Sequence, residues 1–165
     1  MSTTKNTKPD SATDYRKQAL PRILDACCGS RMFWFDRRDS RAVFVDKRSE
    51  RHTLPDASSF GGSRELVIEP DMVADFTNLP FPARSFSLVV FDPPHFSRNG
   101  ESGWMAKKYG TLEGDWRAEL RRGFEECFRV LKPDGTLVFK WNEDEVSVKE
   151  ILALTAAKPL FGNRY

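Results

Sequence analysis

Apolar residues in this chain come in short unbroken runs, separated by polar connections that carry glycine or proline. One such run, Leu88-Val89-Val90-Phe91, leads directly into Asp92-Pro93-Pro94-His95. Four apolar residues without a polar interruption predict a strand buried on both faces, as in a parallel sheet. Pro93 and Pro94 lack the N–H that a ladder needs, and Pro93 holds Asp92 in extended geometry. The strand therefore ends there and presents Asp92 and His95 stiffly at its carboxyl edge, the edge where open α/β sheets bind ligands.

The same patterning places the other elements. Residues 1–20 are polar and predicted to be loose, with at most a short helix around Tyr15 to Leu20, and residues 21–165 form a single domain. Arg22 to Ser30 predicts a short strand running into a tight turn. Arg31 to Asp36 continues as a short helix whose Met32, Phe33 and Phe35 cover one face of the sheet. Ala42 to Asp46 is a second buried strand ending in an acid, and Lys47 to Arg64 a loop with one helical turn near Glu50 to Leu54. Leu66 to Glu69 suggests a short extra strand and Met72 to Asp75 a third core strand. The link from there to Leu88 is too brief for a full crossover helix.

The stretch from Phe96 to Gly110 has the glycine-rich, aromatic make-up of a binding loop. Trp116, Leu120, Phe124, Cys127, Phe128 and Leu131 recur at helical spacing, with Asp115 as the cap and Lys132-Pro133-Asp134-Gly135 as the stop. Thr136 to Trp141 is a fifth strand. Ser147 to Glu150 is a capping box opening a helix with Ile151, Leu152 and Leu154, and Lys158 to Phe161 begins a sixth strand. Strands alternating with helices imply an α/β three-layer sandwich on a mostly parallel, Rossmann-like sheet.

Composition narrows the class. With 165 residues and 39% apolar content the chain has enough material for one core, and no apolar run approaches the ~20 residues of a bilayer span. The first residues lack a signal-peptide core, so a cytoplasmic protein is expected. Three cysteines (Cys27, Cys28 and Cys127) and two histidines, without paired ligand spacing, point to no disulfide framework and no metal. A net charge of +2 does not indicate a purely electrostatic nucleic-acid binder, although Arg31 to Arg51 is rich in arginine. That stretch suits either a phosphate backbone or an ordinary solvated surface.

Chemistry gathers at the strand ends. Asp25-Ala26-Cys27-Cys28-Gly29-Ser30 is a strand–turn in which Gly29 permits a sharp bend and close approach of backbone to a ligand. It is neither a dinucleotide GxGxxG nor a phosphate loop. Asp46, 21 residues on, ends the second strand where an acid can accept ribose hydroxyls, or is a plain surface aspartate. Asp75 with Phe76 ends the third, suited to an exocyclic amine and an adenine face, or to capping Thr77 or Asn78. Four consecutive strands ending in an acid put all four on one rim.

With those residues in view the chain resembles the class I S-adenosylmethionine-dependent methyltransferases, in particular the amino-methyltransferase branch that modifies nucleobase nitrogens. Asp25 to Ser30 is similar to that family's D-P-x-C-G-S-G motif, Asp46 to its ribose acid, Asp75-Phe76 to its adenine site and Asp92-Pro93-Pro94-His95 to its (D/N/S)-P-P-(Y/F/W) motif. Trp104 to Tyr109 and Phe139 to Glu143 are similar to stretches of small phage- and prophage-encoded methyltransferase-like proteins.

The resemblance implies S-adenosyl-L-methionine held by Asp25, Cys27, Gly29, Ser30, Asp46, Asp75 and Phe76, and the charge of Arg31 suits it to bond the methionine carboxylate. It implies an amine bound by Asp92, Pro93, Pro94 and His95 and a nucleic-acid substrate, DNA before RNA and adenine before cytosine. Trp104, Lys107, Lys108 and Tyr109 are candidates for a substrate loop, Trp104 being alternatively a loop aromatic folded back on the core. Lys140, at a strand's carboxyl end, either lines the site or is solvated. The Asp92 carboxylate and Pro93 carbonyl would accept the two amine hydrogens and turn the nitrogen lone pair toward the methyl group. No metal or membrane is called for.

Two positions depart from the pattern. Arg31 stands where the family has glycine, and His95 where it has a larger aromatic ring, free either to stack or to carry a proton. The sheet is expected to lack the family's last strand, which leaves an edge for a second copy or a partner subunit. Methyl transfer to RNA, a protein amide or a small molecule, and a non-catalytic cofactor-binding module, are the alternatives.

Overall fold

The computed structural model describes residues 20–96, 104–112 and 114–162. Ile23–Asp25 (β1), Ala42–Asp46 (β2), Met72–Val73 (β5), Phe86–Phe91 (β6) and Leu131–Phe139 (β7) form one five-stranded sheet in the order β5-β2-β1-β6-β7, every pair parallel. Glu50–Pro55 (β3) and Ser63–Ile68 (β4) form a separate antiparallel hairpin. The helices among the described residues are Trp104–Tyr109 (α1), Trp116–Val130 (α2) and Val148–Leu152 (α3). This is the expected α/β, Rossmann-like architecture.

Sheet faces follow the alternation of side chains along each strand. Val43, Val45, Leu24, Val89 and Phe91 join the larger core with Leu120, Phe124, Cys127 and Val130 of α2 and Ile151 of α3. Gly123 lets α2 approach the sheet: a Cβ there would come within 2.7 Å of the Phe76 ring and 2.8 Å of Phe91. The opposite face presents Ala42 and Phe44, with Cys28, Ile23 and Trp34 packed on them. Asp115 caps α2 through the Ala118 N–H, and Ser147 caps α3 through that of Glu150. The Glu150 carboxylate completes no box; it pairs instead with Arg117.

Several expectations are corrected. Residues 31–36 form turns instead of a helix, because Arg31 takes a left-handed backbone (φ 57°). Trp34 alone turns onto the sheet, and Met32, Phe33 and Phe35 do not cover it, being half to fully exposed. The helical turn at Glu50 to Leu54 is strand β3. Polar cross-strand pairs, Thr53 to Glu65 (2.7 Å) and Arg51 to Glu69 (3.2 Å), help hold its hairpin beside the buried Leu54, Leu66 and Ile68. The apolar run at Leu66 to Ile68 announces its second strand, β4, whereas the polar β3 leaves no such trace.

The third strand shrinks to two residues at the sheet edge. Lys132 to Gly135 lie inside β7, at a shift in its register with β6. Leu160 and Phe161 are exposed and not in a strand. The short helix expected at Tyr15 to Leu20 falls almost wholly outside the described residues.

Candidate active site

The order of strands reverses between β1 and β6: β2 and β5 lie on one side of β1, β6 and β7 on the other. Outside the carboxyl ends at that reversal, a crevice opens. Asp25 ends β1 and Asp92 follows β6 directly, so the register of the two strands sets both acids on the crevice. A cavity of about 340 Å³ fills it, a volume within the range of small-molecule sites.

On the β1–β2 side, the chain turns through Gly29 at φ 50°, and the Cys28 N–H donates to the Val45 carbonyl at 2.8 Å. The turn points the Gly29 N–H at Asp46, whose Oδ2 accepts it at 2.8 Å. Asp46 Oδ1 accepts the Arg48 N–H at 2.9 Å and its Nε at 3.3 Å. Asp25 is 2% exposed and accepts the Trp34 indole N–H at 2.7 Å and the Cys27 N–H at 3.3 Å. Burial pushes its pKa up to about 7, with those two hydrogen bonds opposing the rise and the nearby Asp92 and Asp46 adding to it. Burial likewise raises the Cys27, Cys28 and Cys127 thiols, so they stay protonated and inert near neutral pH.

The β6–β7 side is built differently. Lys140 leaves β7 with its N–H on the Phe91 carbonyl (3.0 Å), and its ammonium lies 2.6 Å from Asp92 Oδ2. The two prolines then carry the chain to His95, 7% exposed among Phe96 (4.2 Å between ring centres), Tyr109 (5.5 Å) and Trp141 (6.3 Å). Burial lowers the His95 pKa, and the Lys140 charge lowers it further against the pull of Asp92. The imidazole is accordingly neutral at pH 7, an aromatic ring among aromatic rings.

Helix α1 closes the cavity from above. Gly110, at φ 76°, packs on Pro94, where a Cβ would sit 3.1 Å from the proline ring. Arg48 reaches from Asp46 to the Lys107 carbonyl at 2.9 Å and ties α1 to β2 across the mouth.

Of the residues expected at the site, Asp25, Cys27, Gly29, Ser30, Asp46, Phe76, Asp92, Pro93, Pro94, His95, Lys108, Tyr109 and Lys140 line this cavity. Asp75 does not: its Oδ1 accepts the Thr77 N–H and hydroxyl, both at 2.8 Å, the capping alternative. Arg31 does not either. Its guanidinium lies over the Phe44 ring at 4.0 Å and bonds the carbonyls of Arg37 and Glu69 and the carboxylate of Asp71. Lys107 contributes only its carbonyl, to Arg48, and of Trp104 only the backbone lies within the described part.

Cys28, Met32, Phe33, Lys47, Arg48 and Gly110 line the cavity unforeseen. Arg48 had one signal, its place two residues after a strand-ending aspartate, where an Asx-type turn brings the chain back over the carboxylate.

A stretch of 68 residues, 41% of this chain, is 32% identical to malonyl-[acyl-carrier protein] O-methyltransferase 1 of Coxiella burnetii. The match spans 17% of that protein's length. No protein-family profile matches the chain, and no solved structure does. Among the described residues no cluster of His, Cys, Asp and Glu is arranged to hold a metal, and no helix is long and apolar enough to cross a membrane.

Proposed function

We propose that this domain is an S-adenosyl-L-methionine-dependent methyltransferase acting on the exocyclic amino group of a nucleobase, adenine in DNA first. The observation that carries the proposal is the meeting of two half-sites at the strand reversal. A glycine turn and two buried acids lie on one side, and Asp92-Pro93-Pro94-His95 on the other, around one cavity. The partial likeness to an O-methyltransferase supports methyl transfer in general. The amine target rests on the Asp-Pro-Pro rim alone.

The residues fit the cofactor. A carboxylate offers about four acceptor positions, and Asp46 has three filled from within the chain, so a ribose hydroxyl finds the remaining one. Phe76 presents a ring at the cavity wall, and Asp25 a carboxyl group near its base. When bound, the cofactor supplies an electrophilic methyl group. The protein's own part is placement. Asp92 and the Pro93 carbonyl accept the amine hydrogens and direct the lone pair, while neutral His95 offers a flat apolar face to the base. Lys140 pairs with Asp92 from beside it, and Phe96, Tyr109 and Trp141 pack around His95.

Calorimetric titration of S-adenosyl-L-methionine tests the first half of this reading. Binding by wild type that is lost in Asp46→Ala is expected. Absence of binding by the wild type would remove the proposal altogether.

A further inference from the structure

Arg48 joins two parts of the site that lie 59 residues apart in the chain. Its Nε lies 3.3 Å from Asp46 Oδ1. One terminal nitrogen donates to the Lys107 carbonyl at 2.9 Å and lies 3.5 Å from a Glu50 carboxylate oxygen. The other is 4.0 Å from where a Gly29 Cβ would stand, and the guanidinium carbon is 3.7 Å from the same point on Gly110. The guanidinium therefore sits between the glycine turn of the cofactor side and the end of α1.

Helix α1 depends on such help. Its six residues are too few to keep a helix in water, where the cost of nucleation outweighs so few hydrogen bonds. Its last carbonyls find no partner within the helix. The Gly110 N–H donates to that of Ala106 at 2.7 Å, and Arg48 donates to that of Lys107. The remaining hold is on the amine side. Gly110 packs on Pro94, and Tyr109 lies beside His95 (5.5 Å between ring centres) and Phe96 (6.0 Å). One short helix thus rests on the amine rim while Arg48 ties it to Asp46. A ligand on Asp46 and the Gly29 turn meets this guanidinium, and it stabilises whichever arrangement of Arg48 and α1 it contacts better.

We infer that Arg48 is a positioning residue that passes occupancy of the cofactor half-site to α1, steadying the roof over the Asp92 rim when S-adenosyl-L-methionine is bound. This rests on the methyltransferase reading and adds a link between its two half-sites.

Hydrogen exchange across residues 104–112, read by mass spectrometry with and without saturating S-adenosyl-L-methionine, tests it, with calorimetry reporting binding. In wild type the cofactor is expected to slow exchange there roughly tenfold, within the usual range of coupling between two sites. Arg48→Met keeps the apolar stem and lacks the donors. It should still bind the cofactor, with the slowing reduced to less than about twofold. Arg48→Lys, a point donor that reaches one partner at a time, should keep part of the slowing. Protected β6 amides show that a variant is folded.

The response to cofactor decides, and the baseline does not. An Arg48 that only braces the fold would change exchange with and without cofactor alike, and slowing left intact in Arg48→Met would overturn the inference. Wild type that binds cofactor with no slowing in 104–112 would overturn it too, with no variant needed, and would leave the cofactor reading standing. Absence of binding by wild type would remove the cofactor reading and the link together.

Discussion

The two sides of the crevice solve the same problem, holding an acid at a strand's end, by different means. On the β1–β2 side Asp25 and Asp46 are 2% and 5% exposed, and main-chain N–H groups, an indole and Arg48 hold them. On the β6–β7 side the Asp92 side chain is about a quarter exposed and meets a lysine whose side chain is half exposed. Backbone donors cannot leave, so the first side is a rigid cradle. A lysine on a four-carbon stem can leave, so the second side can exchange partners. That is the division expected when one ligand is gripped by its shape and another arrives, reacts and departs.

The largest expected effect separates the two sides by function. Asp92→Ala should lower methyl transfer at least a hundredfold, since the acceptor for the amine hydrogen is gone, with cofactor affinity within a few-fold of wild type. Asp46→Ala should do the opposite in binding. It should also lower stability by about 1–3 kcal/mol, because the Gly29 N–H and the Arg48 guanidinium lose their partner. Calorimetry and urea unfolding on the two variants check this, and a similar loss of cofactor affinity in both would erase the division.

The buried acid on the rigid side should show itself in pH dependence. Asp25 has its folded pKa near 7 against an ordinary 3.8, so it holds its proton more tightly folded than unfolded. Its contribution is then most favourable below about pH 4, is lost as pH rises toward about 7, and is flat above; the span is on the order of 4 kcal/mol. Asp25→Asn removes the titration while keeping an acceptor for Trp34. The difference in urea midpoint between about pH 4 and about pH 8 should therefore shrink in Asp25→Asn relative to wild type. Identical pH profiles would show that Asp25 does not feel its burial.

How far these features were legible follows from what stabilises each. β2, β6 and α2 were legible because apolar side chains build them, and apolar spacing is what a sequence displays. Asp46 and Asp75 look alike in sequence, each an acid closing an apolar run, yet only Asp46 reaches the cavity. The difference is tertiary: β2 lies next to β1, whereas β5 is a two-residue edge strand one place farther from the reversal. Strand β3 carries mostly polar residues and the 31–36 turn rests on one left-handed residue, neither of which leaves a periodic trace, whereas β4 shows itself in Leu66 to Ile68. Arg31 looked like a ligand-binding cation because its partners, Phe44, Glu69 and Asp71, are distant in the chain.

Two smaller effects sharpen the contrast. Lys140→Gln should lower turnover about tenfold by loosening Asp92, while stability changes by less than about 1 kcal/mol, as expected for a half-exposed pair. A large stability loss would make Lys140 part of the rigid frame. Arg48→Ala cuts the tie between Asp46 and α1, so hydrogen exchange should quicken across residues 104–112 while the β6 amides keep their protection. Unchanged exchange in 104–112 would show that Pro94 and Gly110 hold α1 alone.

The account turns on what Asp92-Pro93-Pro94-His95 does to an amine. The most direct measurement is mass spectrometry of nucleosides from single-stranded DNA incubated with the protein and methyl-labelled S-adenosyl-L-methionine, wild type beside Asp92→Ala. Labelled N-methyladenine with wild type, absent with Asp92→Ala, is the result predicted. Label that enters protein or small molecules while the DNA stays unlabelled would contradict it.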